Sequence, residues 1–265
     1  MQRDITSRIT LDVTEPADLV FAVAAASSYA PSREIITATV DGSPVEVSEV
    51  ADAHGGRLHR VRAAAGRFVF EYAATISGSA APAEGAEADL LVYQRPSRYA
   101  ESDSLAPTAA AEFGGITDHA QLLTSVSSWV GTRLAYVSGS SLPTDGAIRT
   151  LLGRRGVCRD YAHLCVALLR ALGVPARLVA VYAPGLHPMD FHAVAEAWVG
   201  GQWRVVDATT LAPRSTLVRI ATGRDAADTA FLNVLSGRAD LVDVQVSAVA
   251  DFLPNDDLDQ LVSIG

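Results

Sequence analysis

Residues 191–207, Phe-His-Ala-Val-Ala-Glu-Ala-Trp-Val-Gly-Gly-Gln-Trp-Arg-Val-Val-Asp, constrain the fold of this chain more than any other stretch. Two β-rich runs flank Gly200-Gly201, which is a two-residue loop signal for a tight antiparallel hairpin. With those glycines as the loop, Val199 pairs with Gln202, and Trp198 faces Trp203 as an aromatic cross-strand pair. Counting back, Val194 stands opposite Asp207. His192 shares the face of Val194 and is diagonal to Asp207, at about 7–8 Å between backbones, within side-chain reach. The register therefore predicts a His192–Asp207 contact. A one-residue slip would send the two side chains to opposite faces.

A second informative stretch is Gly156-Val157-Cys158-Arg159-Asp160-Tyr161-Ala162-His163-Leu164. It opens a helix that starts near Cys158 and stops at Gly173, before Val174-Pro175. A thiol in the first turn of a helix faces unpaired N–H groups and the positive dipole end, which favour its thiolate. The same N–H groups can donate to an oxyanion forming on a bound carbonyl. Cys165, seven positions on and flanked by Leu164 and Val166, has the setting of a small buried hydrophobe. Seven helical residues separate the two Cα atoms by about 10 Å, beyond disulfide reach. With two cysteines and no disulfide framework, nothing argues for secretion.

The other histidines compete poorly. His163 lies about 500° around the helix from Cys158 and is expected to pack or bond locally, as is Asp160, placed to cap the first turn. His187 sits in the Pro184 to Asp190 loop, as a substrate contact or a solvated side chain. His54, His59 and His119 are expected to be structural and without partners. A Cys-His-Asp zinc site lacks a close ligand pair.

Around these motifs the texture divides. From residue 5 to about 95, RITLDV, EIITATV, PVEVSEV, RLHRVRA, RFVFEYAATI and ADLLVYQ read as short strands separated by turn signals, which suggests a β-sandwich. Thr117-Asp118 then opens an amphipathic helix through about Leu134, capped by Asp118. A short helix is expected over Asp145 to Leu152. Further strands are expected at Ala176 to Tyr182, His192 to Val199, Trp203 to Asp207 and Leu241 to Ala250. The predicted fold class is α+β, with a β-sandwich-like domain at 1–96 and a second domain at 97–265.

The 265 residues are 49% hydrophobic and 19% charged, with net charge −9. That composition is globular, and its acidity argues against phosphate backbones or anionic lipid as partners. All 21 cationic side chains are arginines. Leu19 to Ala26 is apolar, but acidic residues precede it where a leader's positive flank would stand, so it reads as folded protein. No run approaches a membrane span, and a cytoplasmic location is the default expectation.

The sequence resembles the transglutaminase-like superfamily, specifically its bacterial transglutaminase-like and cysteine-protease-like members. The resemblance is carried by Gly156-Val157-Cys158-Arg159-Asp160, Ala162-His163-Leu164, the run from Ala167 to Arg177, His192-Ala193, Glu196, Gly201-Gln202-Trp203 and Asp207-Ala208-Thr209. It extends to Tyr99 and to Gly223-Arg224-Asp225. It implies a papain-like core, with a nucleophile on a helix N-terminus packed against an antiparallel sheet that bears the base and the acid. Those roles pass to Cys158, His192 and Asp207. Tyr136 becomes a candidate for the oxyanion site, and Trp203 a candidate substrate contact. No cofactor or metal is implied. The chain departs from animal-type crosslinking enzymes in lacking their additional β domains. Three functions stay open: hydrolysis of a peptide or side-chain amide through a thioester, amine transfer to a glutamine side chain, and a non-catalytic peptide-binding or scaffold role. A protein or peptide is the expected partner, and the sequence is silent on oligomeric state.

Overall fold

The computed structural model describes residues 1–265. Its first half is strands: β1 (Gln2–Phe21), β2 (Arg33–Val40), β3 (Ser43–Pro44), β4 (Ser48–Ala51), β5 (Arg57–Ala63) and β6 (Gly66–Ser77). Then come α1 (Glu87–Val92), α2 (Ser102–Phe113), α3 (His119–Arg133), β7 (Ala135–Tyr136), α4 (Ala147–Gly153), β8 (Arg155–Gly156) and α5 (Cys158–Ala171). The chain ends with β9 (Ala176–Tyr182), β10 (His192–Val199), β11 (Gln202–Val206), β12 (Val218–Gly223) and β13 (Leu232–Ala250). No helix is long and apolar enough to cross a membrane.

β1 organises the N-terminal sheet. Along it Ile5, Ile9, Leu11 and Val13 are buried and alternate with exposed positions, the period-two pattern of a half-buried strand. One edge of β1 pairs with β6 over residues 2–13 and then with β5 over 17–21, the partner changing around Pro16, which has no N–H to give a ladder. The resulting antiparallel sheet, ordered β3-β2-β6-β1-β5-β4, curls on itself. Phe21 stacks on Phe70 of β6 with ring centroids 4.3 Å apart. The two layers of the expected sandwich-like region are thus two halves of one curled sheet.

The other edge of β1 is taken by β13, from Arg3 opposite Ala250 to Phe21 opposite Leu232. Only residues 241–250 of that strand are legible from alternation. Its partner also lies more than 200 residues away, so local pattern could not place it. The division at residue 96 is accordingly not a clean cut, because residues 232–250 fall after it in sequence but lie in the first sheet. A second correction concerns ADLLVYQ, which is the helix α1. Its run Leu90-Leu91-Val92 looks strand-like, yet Glu87 and Asp89 place acidic groups in the first turn of a helix. α2, with Pro107 inside it, buries Leu105, Ala109 and Phe113 at helical spacing and was not foreseen. His54 and His59 do have partners: His54 Nε2 is 2.7 Å from the Tyr93 hydroxyl and His59 Nε2 is 3.2 Å from Glu49.

The second sheet is antiparallel, ordered β11-β10-β9-β12, and α5 packs against β9 and β10 with α2, α3 and α4 around it. Asp118 caps α3 by accepting from the Ala120 N–H at 2.8 Å. The two sheets share a core, since Tyr182, Val218 and Ile220 of the second join the apolar cluster of the first. At the second sheet's centre, Glu196 on β10 is 0% exposed and lies between Arg177 of β9 at 2.8 Å and Arg219 of β12 at 2.6 Å. The Arg177 guanidinium sits 3.8 Å from the centroid of the Trp203 ring.

Removing one partner of such a buried group leaves uncompensated charge. Glu196→Ala is expected to cost about 3–5 kcal/mol, because two guanidinium groups lose their only carboxylate. Urea unfolding at neutral pH checks this, and a midpoint within error of the wild type would show that the Arg177–Glu196–Arg219 cluster is dispensable.

Candidate active site

The hairpin forms in the register that its sequence dictates. Gly200 and Gly201 have φ of 62° and 76°, the left-handed values that a two-residue type I′ loop requires at both positions. Val199 pairs with Gln202, Trp198 with Trp203 and Ala195 with Val206. One step further, His192 Nε2 meets Asp207 Oδ2 at 2.8 Å, with the two residues 2% and 3% exposed. The other carboxylate oxygen, Oδ1, accepts from the Thr209 N–H at 2.9 Å and the Thr209 hydroxyl at 2.7 Å. Thr209 is therefore a positioning residue that sequence reasoning passed over. An aspartate followed two residues later by threonine is the available signal, since that spacing lets the side chain close a local turn.

These contacts fix charge. Burial alone would push the Asp207 carboxyl up, but His192 and Thr209 outweigh it and hold the group below the usual carboxylate range. Burial likewise opposes charge on His192, yet Asp207 beside it, helped by Cys158, pushes its pKa up to about 10. The pair is thus a carboxylate and an imidazolium. With Nε2 committed to Asp207, the second ring nitrogen, Nδ1, is buried without a hydrogen-bond partner. The Cys158 thiol is close enough to help hold the ring's proton.

Cys158 is the first residue of α5 and is partly exposed. Its approach is set by the short parallel pair β7–β8, which puts Tyr136 opposite Gly156. Asp160 reaches back to accept from the Val157 N–H at 2.8 Å and also accepts from the Ser141 hydroxyl at 2.9 Å. A side chain at position 156 would place its Cβ 2.6 Å from that of Asp160, so only glycine fits. The β7–β8 pairing leaves the Tyr136 hydroxyl near both the backbone N–H and the thiol of Cys158. Partial burial and the charge of Cys158 push that phenol up to about 12.

The structure thus brings Cys158, His192, Asp207 and Tyr136 together and sets Trp203 apart. Trp203 is 1% exposed, packs edge-on to Tyr93 and Trp198, and donates its indole N–H to the Glu84 carbonyl at 3.1 Å. The substrate contact expected of it is replaced by a role in the core. His163 is turned away as its spacing predicts. It accepts from the Ala226 N–H at 3.1 Å and stacks on Tyr99, and burial pushes its pKa down to about 3, which keeps it neutral. Cys165 is fully buried, and its thiol is pushed well above its ordinary range by burial.

Residues 107–208 match the family model described as the transglutaminase-like superfamily. A solved structure from Cytophaga hutchinsonii, described as a "putative cysteine protease", superposes with a TM-score of 0.88 at 36% identity, over 98% of this chain and 96% of that one. An uncharacterised protein of Mycobacterium leprae is 32% identical over 122 residues, which cover 42% of this chain and 43% of that protein. One from Mycobacterium tuberculosis H37Rv is 31% identical over 167 residues, 56% of this chain and 53% of that protein. The chain spans about half the length of these curated relatives.

The raised His192 pKa has a signed consequence. A group that binds its proton more tightly when folded stabilises the fold fully at and below its ordinary value of 6.5, and loses that contribution as pH rises through about 10. Asp207→Asn removes the cause. The gap in urea midpoint between wild type and this variant should be widest near pH 6 and close toward pH 10. A gap that is constant or grows over that range rejects the ion pair.

Proposed function

The chain belongs to the transglutaminase-like superfamily, and from that premise we propose that it performs thiol-dependent acyl transfer, with hydrolysis of a peptide or side-chain amide as the outcome. The observation that carries the reading is the buried 2.8 Å contact between His192 and Asp207, with the helix-start thiol of Cys158 against the same ring. A carboxylate on one imidazole nitrogen orients the ring and leaves the other nitrogen to exchange a proton with the thiol.

In this reading the Cys158 sulfur, as thiolate, attacks the amide carbon. The carbonyl electrons move onto oxygen, which is met by the Cys158 N–H and the Tyr136 hydroxyl. As the tetrahedral species collapses, the C–N bond breaks and the His192 imidazolium gives its proton to the departing nitrogen. The neutral imidazole then takes a proton from water as that oxygen attacks the thioester. The C–S bond breaks, and acid and thiolate are released. Asp207 stays ionised throughout, stabilising the imidazolium at each turn. Water is the acceptor in the first reading because the Cytophaga protein, alike over nearly its whole length, is described as a "putative cysteine protease". An amine in place of water would make the same thioester a new amide.

Four measurements test this. Iodoacetamide should add one label per chain below pH 7, on Cys158 and not on buried Cys165; an ordinary thiol rate that rises only near pH 8.5 would falsify the thiolate–imidazolium pair. A glutamine peptide should give the same hydrolysis product with and without added primary amine, while amine incorporation would reassign the reaction to transfer. Cys158→Ala should abolish turnover with an unchanged circular dichroism spectrum. Tyr136→Phe should slow turnover roughly 100-fold, the cost of one oxyanion donor.

A further inference from the structure

A cleft of about 470 Å³ adjoins the relay, and Tyr136 and Asp207 are both part of its wall. The wall also takes in α3, Tyr161 of α5, Val205 and Val206 of β11, the turn at residues 208–210, Arg214 and the C-terminal segment, through Leu258 and Leu261. Its volume lies within the roughly 300–1,000 Å³ typical of ligand sites. Tyr136 links the cleft to the nucleophile, since its ring lines the cleft while its hydroxyl stands at Cys158.

The charges in this wall are already answered. Asp207 is committed to His192 and Thr209. Arg214 grips Asp256, with Nε at 2.9 Å and Nη2 at 3.1 Å, and donates to the Asp257 carbonyl at 2.6 Å. A charged group entering the cleft would lose water and find no free counter-charge. Against this, Leu258 is 47% exposed, a large apolar side chain held on the cleft rim. The segment that carries it is anchored on both sides. The Arg214–Asp256 clamp holds it upstream. Downstream, the Val262 carbonyl accepts from the Val205 N–H at 2.8 Å, the Ser263 hydroxyl donates to the Trp203 carbonyl at 2.7 Å, and Ile264 is 3% exposed. These contacts lay residues 262–263 along β11, the edge strand of the second sheet.

We propose that this cleft is the subsite for an uncharged, apolar side chain of the acyl donor, and that the segment 256–262 sets that preference through Leu258 and Leu261. The proposal rests on the acyl-transfer reading above and adds a substrate class to it. The preference does not need a mobile lid, because the wall is in place before substrate arrives.

The test uses the full chain and irreversible peptidyl acyloxymethyl ketones, which alkylate an active-site thiol after their peptide part has docked. Leucine, arginine or aspartate is placed in turn at each of the three positions before the reactive group, with iodoacetamide as a reagent that needs no subsite. Labelling of Cys158 is followed by mass spectrometry. At one position the leucine probe should label roughly 10- to 100-fold faster than the charged probes, the discrimination that an apolar pocket supplies. Leu258→Asp should erase most of that ratio and leave iodoacetamide labelling unchanged, and Leu258→Ala should lower it partway. Equal rates for all probes, faster labelling by a charged probe, or a ratio that survives Leu258→Asp would each overturn the subsite while iodoacetamide still marks Cys158. Failure of iodoacetamide in the wild type overturns the catalytic reading itself, and the subsite falls with it.

Discussion

A carboxylate removed from water must have its lone pairs answered, and Asp207 meets that condition with three donors on two residues. The rest of the site follows. His192 Nε2 is taken, so the ring has one orientation and Nδ1 is the nitrogen left for the thiol. The hairpin has one register, because a slip that moved His192 to the other face would strand two buried polar groups. A second buried carboxylate, Glu196, lies four residues along the same strand and ties it to β9 and β12 through two arginines. Strand β10 is therefore held at its start by the His192–Asp207 contact and near its middle by the arginines, and neither carboxylate can move independently of the sheet.

Cys158 is positioned by different means. Two-residue strands are seldom decisive, yet β7–β8 decides where α5 begins, because the pairing of Tyr136 with Gly156 fixes the backbone just before Cys158. Asp160 then closes the first turn onto Val157. The thiol is brought to the imidazole by the chain's entry into the helix, while the imidazole is brought to the thiol by the hairpin. Each half is specified locally, and the packing of α5 on β9 and β10 joins them.

This division explains what could be read beforehand. The His192–Asp207 contact was legible because a Gly-Gly loop sets the register by counting, and Cys158 because Gly156 and the helical run after it mark a helix start. The role of Trp203 is not legible from sequence: an aromatic residue near the site reads alike whether it faces substrate or the core, and only the Arg177 guanidinium over its ring and the Glu84 carbonyl at its N–H decide between them. ADLLVYQ was mistaken because three apolar residues in a row suit a strand as well as one face of a helix. The partners of His54 and His59 come from Tyr93 and Glu49, one 39 residues away and the other across a hairpin. What sequence withheld, in each case, was the neighbour rather than the residue.

The pairing of β1 with β13 has a consequence for how the molecule is made. Closing so long a loop adds little equilibrium cost, since each doubling of its length adds only about 0.6 kcal/mol. Its effect is on timing, because distant pairings form late. On the ribosome, β1 must wait with one bare edge until Leu232–Ala250 has emerged, by which time Cys158, His192 and Asp207 have all been synthesised. Completion of the sheet thus comes after those three residues, and a nascent chain stalled before residue 232 would present an unpaired strand edge to its surroundings.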